Sequence, residues 1–336
     1  MRKARDISCG CDMRTSWRTL LLIQGEVMTE HIKCPNYKKC GGCQLQNLPY
    51  DRQLSFKQVR AIKLLGRYRH VNEIIGMENP YHYRNKVQAA FTMRGGNILS
   101  GVYQSSTHSV VPVDSCMIED EIADSIIVTI RKLLKSFKLK PFDVSTSRGF
   151  LRHVLVRRSF TLNQVMVVLV TGTDEFPDER KFINALLSRH SEITTIVQSV
   201  NDRRTNLLLG NESRVLYGNG YIEDELMGKR FRISPRAFYQ VNPVQTAVLY
   251  GKALEFADMN GTETVIDAYC GTGTIGILAS DRAKRVIGVE LNGDAIKDAR
   301  VNAQLNDVKN IEFYKDDAGK FMSELALAGE REQTLL

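Results

Sequence analysis

The sequence lacks several features that mark whole classes of protein. None of its apolar runs approaches the roughly 20 residues needed to span a bilayer, and the short run Leu20–Ile23 cannot form the core of a secretory signal. It also has no low-complexity tract and no internal repeat, which excludes fibrous and solenoid architectures. We therefore expect a globular, cytoplasmic protein that has no membrane partner.

Composition and charge narrow the class of partner. The chain has 336 residues, enough for two ordinary domains. Its formal net charge of +8 favours an anionic partner such as nucleic acid, although a surplus that serves solubility gives the same number. Seven cysteines in a cytoplasmic chain favour metal, cluster or catalytic roles over disulfides.

A glycine-rich turn in the stretch 264–276 is the strongest local signal. An apolar, β-branched run predicts a buried parallel strand, after which Gly271, Gly273 and Gly276 allow a tight turn into a helix. Glu290 ends the next predicted strand, where its carboxylate can accept hydrogen bonds from a pair of ribose hydroxyls. The pattern predicts a nucleoside-containing cofactor; the alternative is a turn that merely closes a strand–helix corner.

The spacing of the glycines leaves the cofactor open. It satisfies the dinucleotide fingerprint, which is weak by itself and keeps an NAD-dependent oxidoreductase as an alternative. Asp267, followed by Ala-Tyr-Cys-Gly-Thr-Gly-Thr274, resembles the first motif of class I RNA methyltransferases. That resemblance implies S-adenosylmethionine as the cofactor.

Three cysteines near the start of the chain form a second signal. Cys34, Cys40 and Cys43 lie within ten residues, with two glycines between the last two, and this spacing suits one metal centre. A tetrahedral site or a cubane cluster needs a fourth ligand, and Cys116 is the candidate. Zinc and an iron–sulfur cluster both fit four thiolates, and unrelated thiols are the bland alternative.

The spacing Cys-x5-Cys-Gly-Gly-Cys with a distant fourth cysteine resembles the iron–sulfur site of the RNA uracil-5-methyltransferases. That family includes enzymes that methylate 23S ribosomal RNA. The resemblance implies a structural [4Fe–4S] cluster, with zinc as the alternative, held by Cys34, Cys40, Cys43 and Cys116. Because the transfer-RNA branch generally lacks the thiols, 23S ribosomal RNA is the expected partner and transfer RNA the alternative.

Further short matches to this family are spread over the middle of the chain and the block 231–242. By resemblance, Gln240 touches the cofactor, although a helix cap that joins two domains is an alternative for this block. Basic side chains are predicted to contact RNA phosphates, with solvated strand-edge residues as the alternative: Arg84, Lys86, Arg148, Arg152 and Arg236. The residues predicted to bind the cofactor are Gln240, Tyr269, Gly271, Thr274, Glu290 and Asp317. Asp317 follows a third predicted strand and is expected to contact the adenine end of the cofactor.

The predicted fold class is α/β. A Rossmann-like class I methyltransferase domain with an incomplete sheet follows a mixed α/β RNA-binding domain that carries the four-cysteine site. The predicted boundaries are 1–27 for a leader of doubtful status, 28–50 for the cysteine segment, 51–228 for the central domain and 229–336 for the cofactor domain. We expect a monomer.

The resemblance ends near residue 322, and the chemistry of the family needs more. Uracil C5 attacks a methyl donor only after a thiolate adds at C6, and a base must then remove the C5 proton. The family's Asp-Pro-Pro-Arg block, nucleophilic cysteine and general-base glutamate do not occur among the 336 residues. We expect them beyond Leu336, with Cys270 structural and the sheet ending after three strands; a non-catalytic protein that binds RNA and cofactor is the alternative.

Overall fold

The computed structural model of the chain describes residues 33–105, 107, 109–203, 207–327 and 334–335. The predicted leader, with Cys9 and Cys11, lies outside these residues. The described residues from Cys34 onwards belong to one compact unit. Within the described ranges, no helix combines the length and apolar character that crossing a bilayer requires.

The first half of the described chain builds one large sheet and three helices. The elements are α1 Tyr50–Leu65, β1 Lys86–Arg94, β2 Asn97–Tyr103, β3 Val110–Pro112, α2 Glu121–Ser136, β4 Leu151–Arg158, β5 Val165–Thr171, α3 Glu179–Leu187, β6 Ile193–Val200 and β7 Glu212–Tyr217. The sheet has seven strands in the order β3-β2-β1-β4-β5-β6-β7, antiparallel throughout except for the parallel pair β5–β6, which α3 connects.

Strands β4 and β5 lie at the centre of this sheet and are buried on both faces. Alternate side chains point to opposite sides of a strand, so Val154 and Val167 pack against α2 and α3, whereas Leu155 and Val168 join a core with the second half of the chain. The continuous apolar run of β5 is the signature of a strand that is covered on both faces.

The second half begins with a hairpin and continues as a parallel sheet. The elements are β8 Ile222–Leu226, β9 Lys229–Ile233, α4 Pro243–Ala257, β10 Thr264–Asp267, α5 Thr274–Ala279, β11 Arg285–Val289, α6 Gly293–Leu305, β12 Ile311–Tyr314, α7 Ala318–Leu327 and β13 Thr334–Leu335. The order of the parallel sheet is β12-β11-β10-β13. The predicted α/β class is confirmed.

One expectation about this sheet is wrong. We expected it to end after three strands, but β13 pairs in parallel with β10, Val265 opposite Thr334 and Ile266 opposite Leu335. The fourth strand is only two residues long and follows α7 without a β-branched run, so the sequence pattern gives it no strand signal.

The hairpin β8–β9 is held by side chains from its surroundings. On β8, the N–H groups of Glu223 and Glu225 donate to Gln164 Oε1 at 2.8 Å and to Thr161 Oγ1 at 3.0 Å. These two acceptors come from the turn that connects β4 and β5. The hairpin therefore docks onto the large sheet through polar contacts as well as through the shared core.

Candidate cofactor-binding site and cysteine cavity

The glycine turn after β10 has the backbone that its sequence predicts. Gly271 and Gly273 adopt positive φ angles of 53° and 78°, a region that glycine enters without steric penalty. At Gly273 a Cβ would also lie 3.0 Å from the ring of Phe313. Helix α5 starts immediately afterwards at Thr274, so the turn leads directly into the N-terminal end of a helix, whose first backbone N–H groups have no partner within the helix.

Glu290 stands at the carboxyl end of β11, beside this turn. One carboxylate oxygen accepts a hydrogen bond from Gly271 N–H at 3.2 Å, and the other accepts from Asn292 N–H at 2.8 Å. The side chain therefore connects the turn to the start of α6, where Asn292 caps the helix through Asp294 N–H. A carboxylate has about four lone-pair positions, so Glu290 retains acceptor capacity for a ligand.

Asp267, at the end of β10, stabilises the same turn through a hydrogen bond to the helix that follows it. Its buried carboxylate accepts a hydrogen bond from Gly276 N–H, in the first turn of α5, at 3.0 Å. Burial raises the pKa of Asp267 to about 7, the Gly276 N–H opposes this shift, and the charge of Glu290 adds to it. Asp267 supported the choice of S-adenosylmethionine in the sequence analysis, but it was not among the predicted site residues. The signal that could have identified it is its position at the end of an apolar strand.

Cys270 lies inside the turn and is buried. Burial raises the pKa of its thiol, and the carboxylates of Asp267 and Glu290 raise it further. A thiol in such surroundings stays protonated and is a poor nucleophile. The structure thus supports the structural role expected for Cys270.

The remaining predicted cofactor residues lie around the same end of the sheet. Tyr269 is 78% exposed at the rim of the turn. Gln240 and Thr274 line one small cavity. Asp317 follows β12 and is exposed, and its Oδ1 accepts from Lys320 N–H at 2.9 Å, so it also caps α7. Contact of these side chains with a cofactor stays a prediction.

The four cysteines of the predicted cluster line a single cavity of about 270 Å³. Cys40 pairs with Gln104, next to the end of β2, in an isolated antiparallel bridge, and Gly42 N–H approaches Cys40 Sγ at 3.3 Å. The N-terminal segment is in this way attached to the edge half of the large sheet. Cys116 reaches the cavity from the stretch between β3 and α2.

The cavity is electrostatically unusual. Burial raises the pKa of Cys43, and the neighbouring thiols of Cys40 and Cys34 raise it further. Burial, followed by the charge of Glu119, raises the pKa of Cys116 to about 12. Within the described residues, no three His, Cys, Asp or Glu side chains converge closely enough to hold a single metal ion. A metal or cluster bound by these thiols is therefore not shown.

Two of the five basic residues predicted to contact RNA face this cavity instead. Arg84 and Lys86 belong to its lining, and burial with the charges of Arg157 and Arg84 lowers the pKa of Lys86 to about 8. Their charges therefore lie next to the thiols.

The other three basic residues are dispersed. Arg152 is buried and donates to the carbonyls of Asn201 and Arg203 at 3.2 and 2.7 Å, so its guanidinium serves the protein's own backbone. This position disfavours contact with RNA. Arg148 is exposed in the loop before β4, and Arg236 is exposed and donates to the Gly210 carbonyl. Phosphate binding by these two stays a prediction.

Comparison with known proteins gives consistent matches. A family model described as a methyltransferase domain matches residues 260–331. The chain is 42% identical over 300 residues to an uncharacterized RNA methyltransferase of Clostridium tetani, covering 88% of this chain and 65% of that protein. It is 41% identical over 310 residues to an uncharacterized RNA methyltransferase of Halalkalibacterium halodurans, covering 91% of this chain and 68% of that protein.

A solved structure is similar over most of the described fold. The crystal structure of the Pyrococcus abyssi tRNA (uracil-54, C5)-methyltransferase in complex with S-adenosyl-L-homocysteine matches with a TM-score of 0.67 and 26% identity. The match covers 82% of this chain and 65% of that chain. The chain thus spans about two thirds of the length of the proteins it matches.

Proposed function

The chain belongs to the same family as the RNA methyltransferases of Clostridium tetani and Halalkalibacterium halodurans, and from that premise we propose that it binds S-adenosylmethionine and takes part in the methylation of uracil C5 in RNA. The proposed RNA is 23S ribosomal RNA. Transfer RNA is the second candidate, because the similar Pyrococcus enzyme is named for a transfer-RNA uridine. The cytoplasm is the proposed location.

The observation that carries the proposal is the turn held by Glu290. Its carboxylate fixes Gly271 N–H and Asn292 N–H and keeps lone pairs for the ribose hydroxyls of a nucleoside. The turn lies at the carboxyl ends of β10 and β11, where open α/β sheets bind ligands. S-adenosylmethionine supplies the methyl group when bound; the chain's own residues orient it and keep the turn rigid.

The reaction also needs a thiolate and a base, and for these we propose no residue of this sequence. Cys270 is the thiol nearest the turn, and its raised pKa opposes thiolate formation. Activity of the whole protein is therefore proposed from the family, whereas cofactor binding is proposed from the geometry of residues 264–292.

For the cysteine cavity we propose a [4Fe–4S] cluster bound by Cys34, Cys40, Cys43 and Cys116. A zinc ion requires four sulfurs about 2.3 Å from one point, whereas four thiols around about 270 Å³ suit a larger group. Cysteine thiolates carry negative charge, which Arg84 and Lys86 would balance. The role is structural, since the cluster would tie the segment 34–43 to the loop after β3.

The large sheet with its helices is the proposed RNA-binding domain, within the boundaries 51–228, and 229–336 the proposed cofactor domain. Arg148 and Arg236 are exposed and are the phosphate contacts that we retain from the sequence. Binding through such cations predicts an affinity that falls steeply with salt.

Calorimetric titration of the purified chain with S-adenosylhomocysteine tests the proposal, with NADH as the matched competitor for a nucleotide fold. We expect saturable binding of S-adenosylhomocysteine and none of NADH. Filter binding to 23S ribosomal RNA fragments and to transfer RNA, over a series of salt concentrations, separates the two RNA candidates. Binding of NADH alone, or no binding of either S-adenosylhomocysteine or NADH, would contradict the proposal.

A further inference from the structure

Two asparagine side chains of α6 and its C-terminal cap contact the hairpin β8–β9 in the same way. Asn302 Oδ1 accepts from Arg232 N–H at 2.7 Å, and Asn302 Nδ2 donates to the Arg232 carbonyl at 3.3 Å. Asn306 makes the same two bonds with Arg230, at 2.8 and 2.6 Å. Each side-chain amide therefore pairs with both backbone polar groups of one strand residue.

The spacing of the two asparagines explains how a helix can do this. Four residues along a helix rise about 6 Å, and two residues along a strand rise about 6.6 to 6.8 Å. Asn302 and Asn306 consequently stay in register with the outward-facing backbone groups of Arg232 and Arg230. The two amides occupy the place of a neighbouring strand.

Asn302 differs from Asn306 in the second acceptor of its Nδ2 group. Asn302 Nδ2 also donates to the Thr272 carbonyl, in the glycine turn, at 3.1 Å. Asn306 Nδ2 donates instead to the Asn302 carbonyl, one helical turn away, at 2.8 Å. Both Asn302 and Thr272 are buried, at 0% and 2% exposure, so water cannot readily replace the bond between them.

The glycine turn is therefore held from two sides. Glu290 accepts a hydrogen bond from Gly271 N–H, and Asn302 Nδ2 donates one to the carbonyl of the next residue, Thr272. The same Asn302 amide fixes β9, whose chain continues into the segment with Gln240. One side chain thus joins the turn to the hairpin that leads to a second predicted cofactor contact.

We propose that Asn302 is a positioning residue for S-adenosylmethionine. Asn302 fixes the peptide between Thr272 and Gly273. It thereby sets the orientation of the turn towards the ligand and the distance between the turn and the segment that contains Gln240. Asn306 secures the hairpin alone. This inference rests on the proposed function, because the ligand is the cofactor assigned there.

The pair of asparagines supplies a matched control. S-adenosylhomocysteine is titrated by calorimetry into the full 336-residue chain and into its Asn302→Ala and Asn306→Ala variants, with thermal melting of each. Both variants lose an amide that pairs with β9, buried at Asn302 and half-buried at Asn306, so both are expected to melt earlier. Asn302→Ala is expected to bind S-adenosylhomocysteine about three- to tenfold more weakly, the range for one neutral hydrogen bond, and Asn306→Ala within about twofold of the original chain.

A second variant keeps the test decisive if Asn302→Ala does not fold. Asn302→Ser introduces no charge at this buried position, but its short hydroxyl cannot replace the amide that donates to both the Thr272 and the Arg232 carbonyls, so a loss of affinity is again expected. Equal affinities for the Asn302 and Asn306 variants, in chains that fold, would overturn the inference while leaving the proposed function intact. Absence of binding by the unmodified chain would overturn both.

Discussion

The glycine turn and the cysteine cavity are built in opposite ways. The turn comes from one continuous stretch, 264–292, and its polar groups are paired within the protein: Glu290 with Gly271 and Asn292, Asp267 with Gly276. The cavity is assembled from separate parts of the chain, and burial there raises the pKa of Cys43 and Cys116. The polar groups of the turn are paired by hydrogen bonds within the protein, whereas the cavity gathers thiols whose burial opposes their charged form.

A bound group would have a different effect at each site. In the turn a ligand would add contacts to polar groups that already pair within the protein. In the cavity a metal-containing group would relieve the electrostatic cost of bringing several thiolates together, so binding there is coupled to folding.

The largest effect is expected from removing cluster ligands. Cys40→Ser and Cys116→Ser should each abolish stoichiometric iron in anaerobically purified protein, because four thiolates are needed to hold the cluster. Iron and acid-labile sulfide are measured together with zinc. Cys270→Ser, a change at the buried thiol of the turn, is the control and should retain iron. Stoichiometric zinc without sulfide in the unmodified chain would assign the cavity to zinc.

The next effect concerns the buried carboxyl of Asp267. Because its pKa is about 7 in the fold and about 3.9 in an unfolded chain, its contribution to stability is complete below about pH 4 and is lost as pH rises through about 7. Asp267→Asn keeps an acceptor for Gly276 N–H and does not titrate. Relative to the original chain, the variant should gain about 2 to 3 kcal/mol between pH 5 and pH 8. Urea unfolding at several pH values measures this; a difference independent of pH would contradict the raised pKa.

A smaller effect is expected at Glu290. Glu290→Gln removes the charge that strengthens hydrogen bonds to the cofactor, so the affinity for S-adenosylhomocysteine should fall about tenfold. Glu312→Gln is the matched control, since that exposed carboxylate on β12 contacts Arg285 and Tyr314. Calorimetry on both variants measures the difference. Equal affinities would remove Glu290 from the site.

The smallest effect is expected at the cap of α6. Asn292 accepts from Asp294 N–H at 2.9 Å, and Asn292→Ala should cost about 1 kcal/mol of unfolding free energy. Asn260 accepts from Thr262 N–H in the loop before β10, where no helix begins. Asn260→Ala is therefore the control for losing a comparable side-chain acceptor outside a helix cap. If Asn292→Ala weakened cofactor binding as much as Glu290→Gln, the turn would depend on the helix cap and not on the carboxylate alone.

The sequence was informative where local pattern and tertiary environment agree. The glycine spacing predicted the turn, and the β-branched run predicted the buried strand β10. Asn292 belongs to the residue types that favour the N-cap position, and it caps α6. At these positions the local structure depends on residues that are close together in the chain, so the sequence pattern alone is enough to predict it.

The sequence was uninformative where contacts come from afar. RNA contact by Lys86 and Arg152 stays a prediction, but no pattern in the sequence indicated their partners within the protein: β1 places Lys86 beside the cysteines, and Arg152 donates to carbonyls about fifty residues away. The hairpin β8–β9 gave no clear signal, since its charged residues resemble a loop. Nothing in the pattern of α6 distinguishes Asn302 from any polar residue on a helix, because its partners lie on β9 and in the glycine turn.

The amides that border the hairpin β8–β9 have a consequence for association between molecules. A two-stranded sheet normally exposes two rows of backbone groups that can template pairing with another chain. Here Asn302 and Asn306 occupy the row on β9, and Gln164 and Thr161 cap N–H groups along β8. The hairpin therefore offers little to a strand from a second molecule, and side chains protect it against edge-to-edge aggregation.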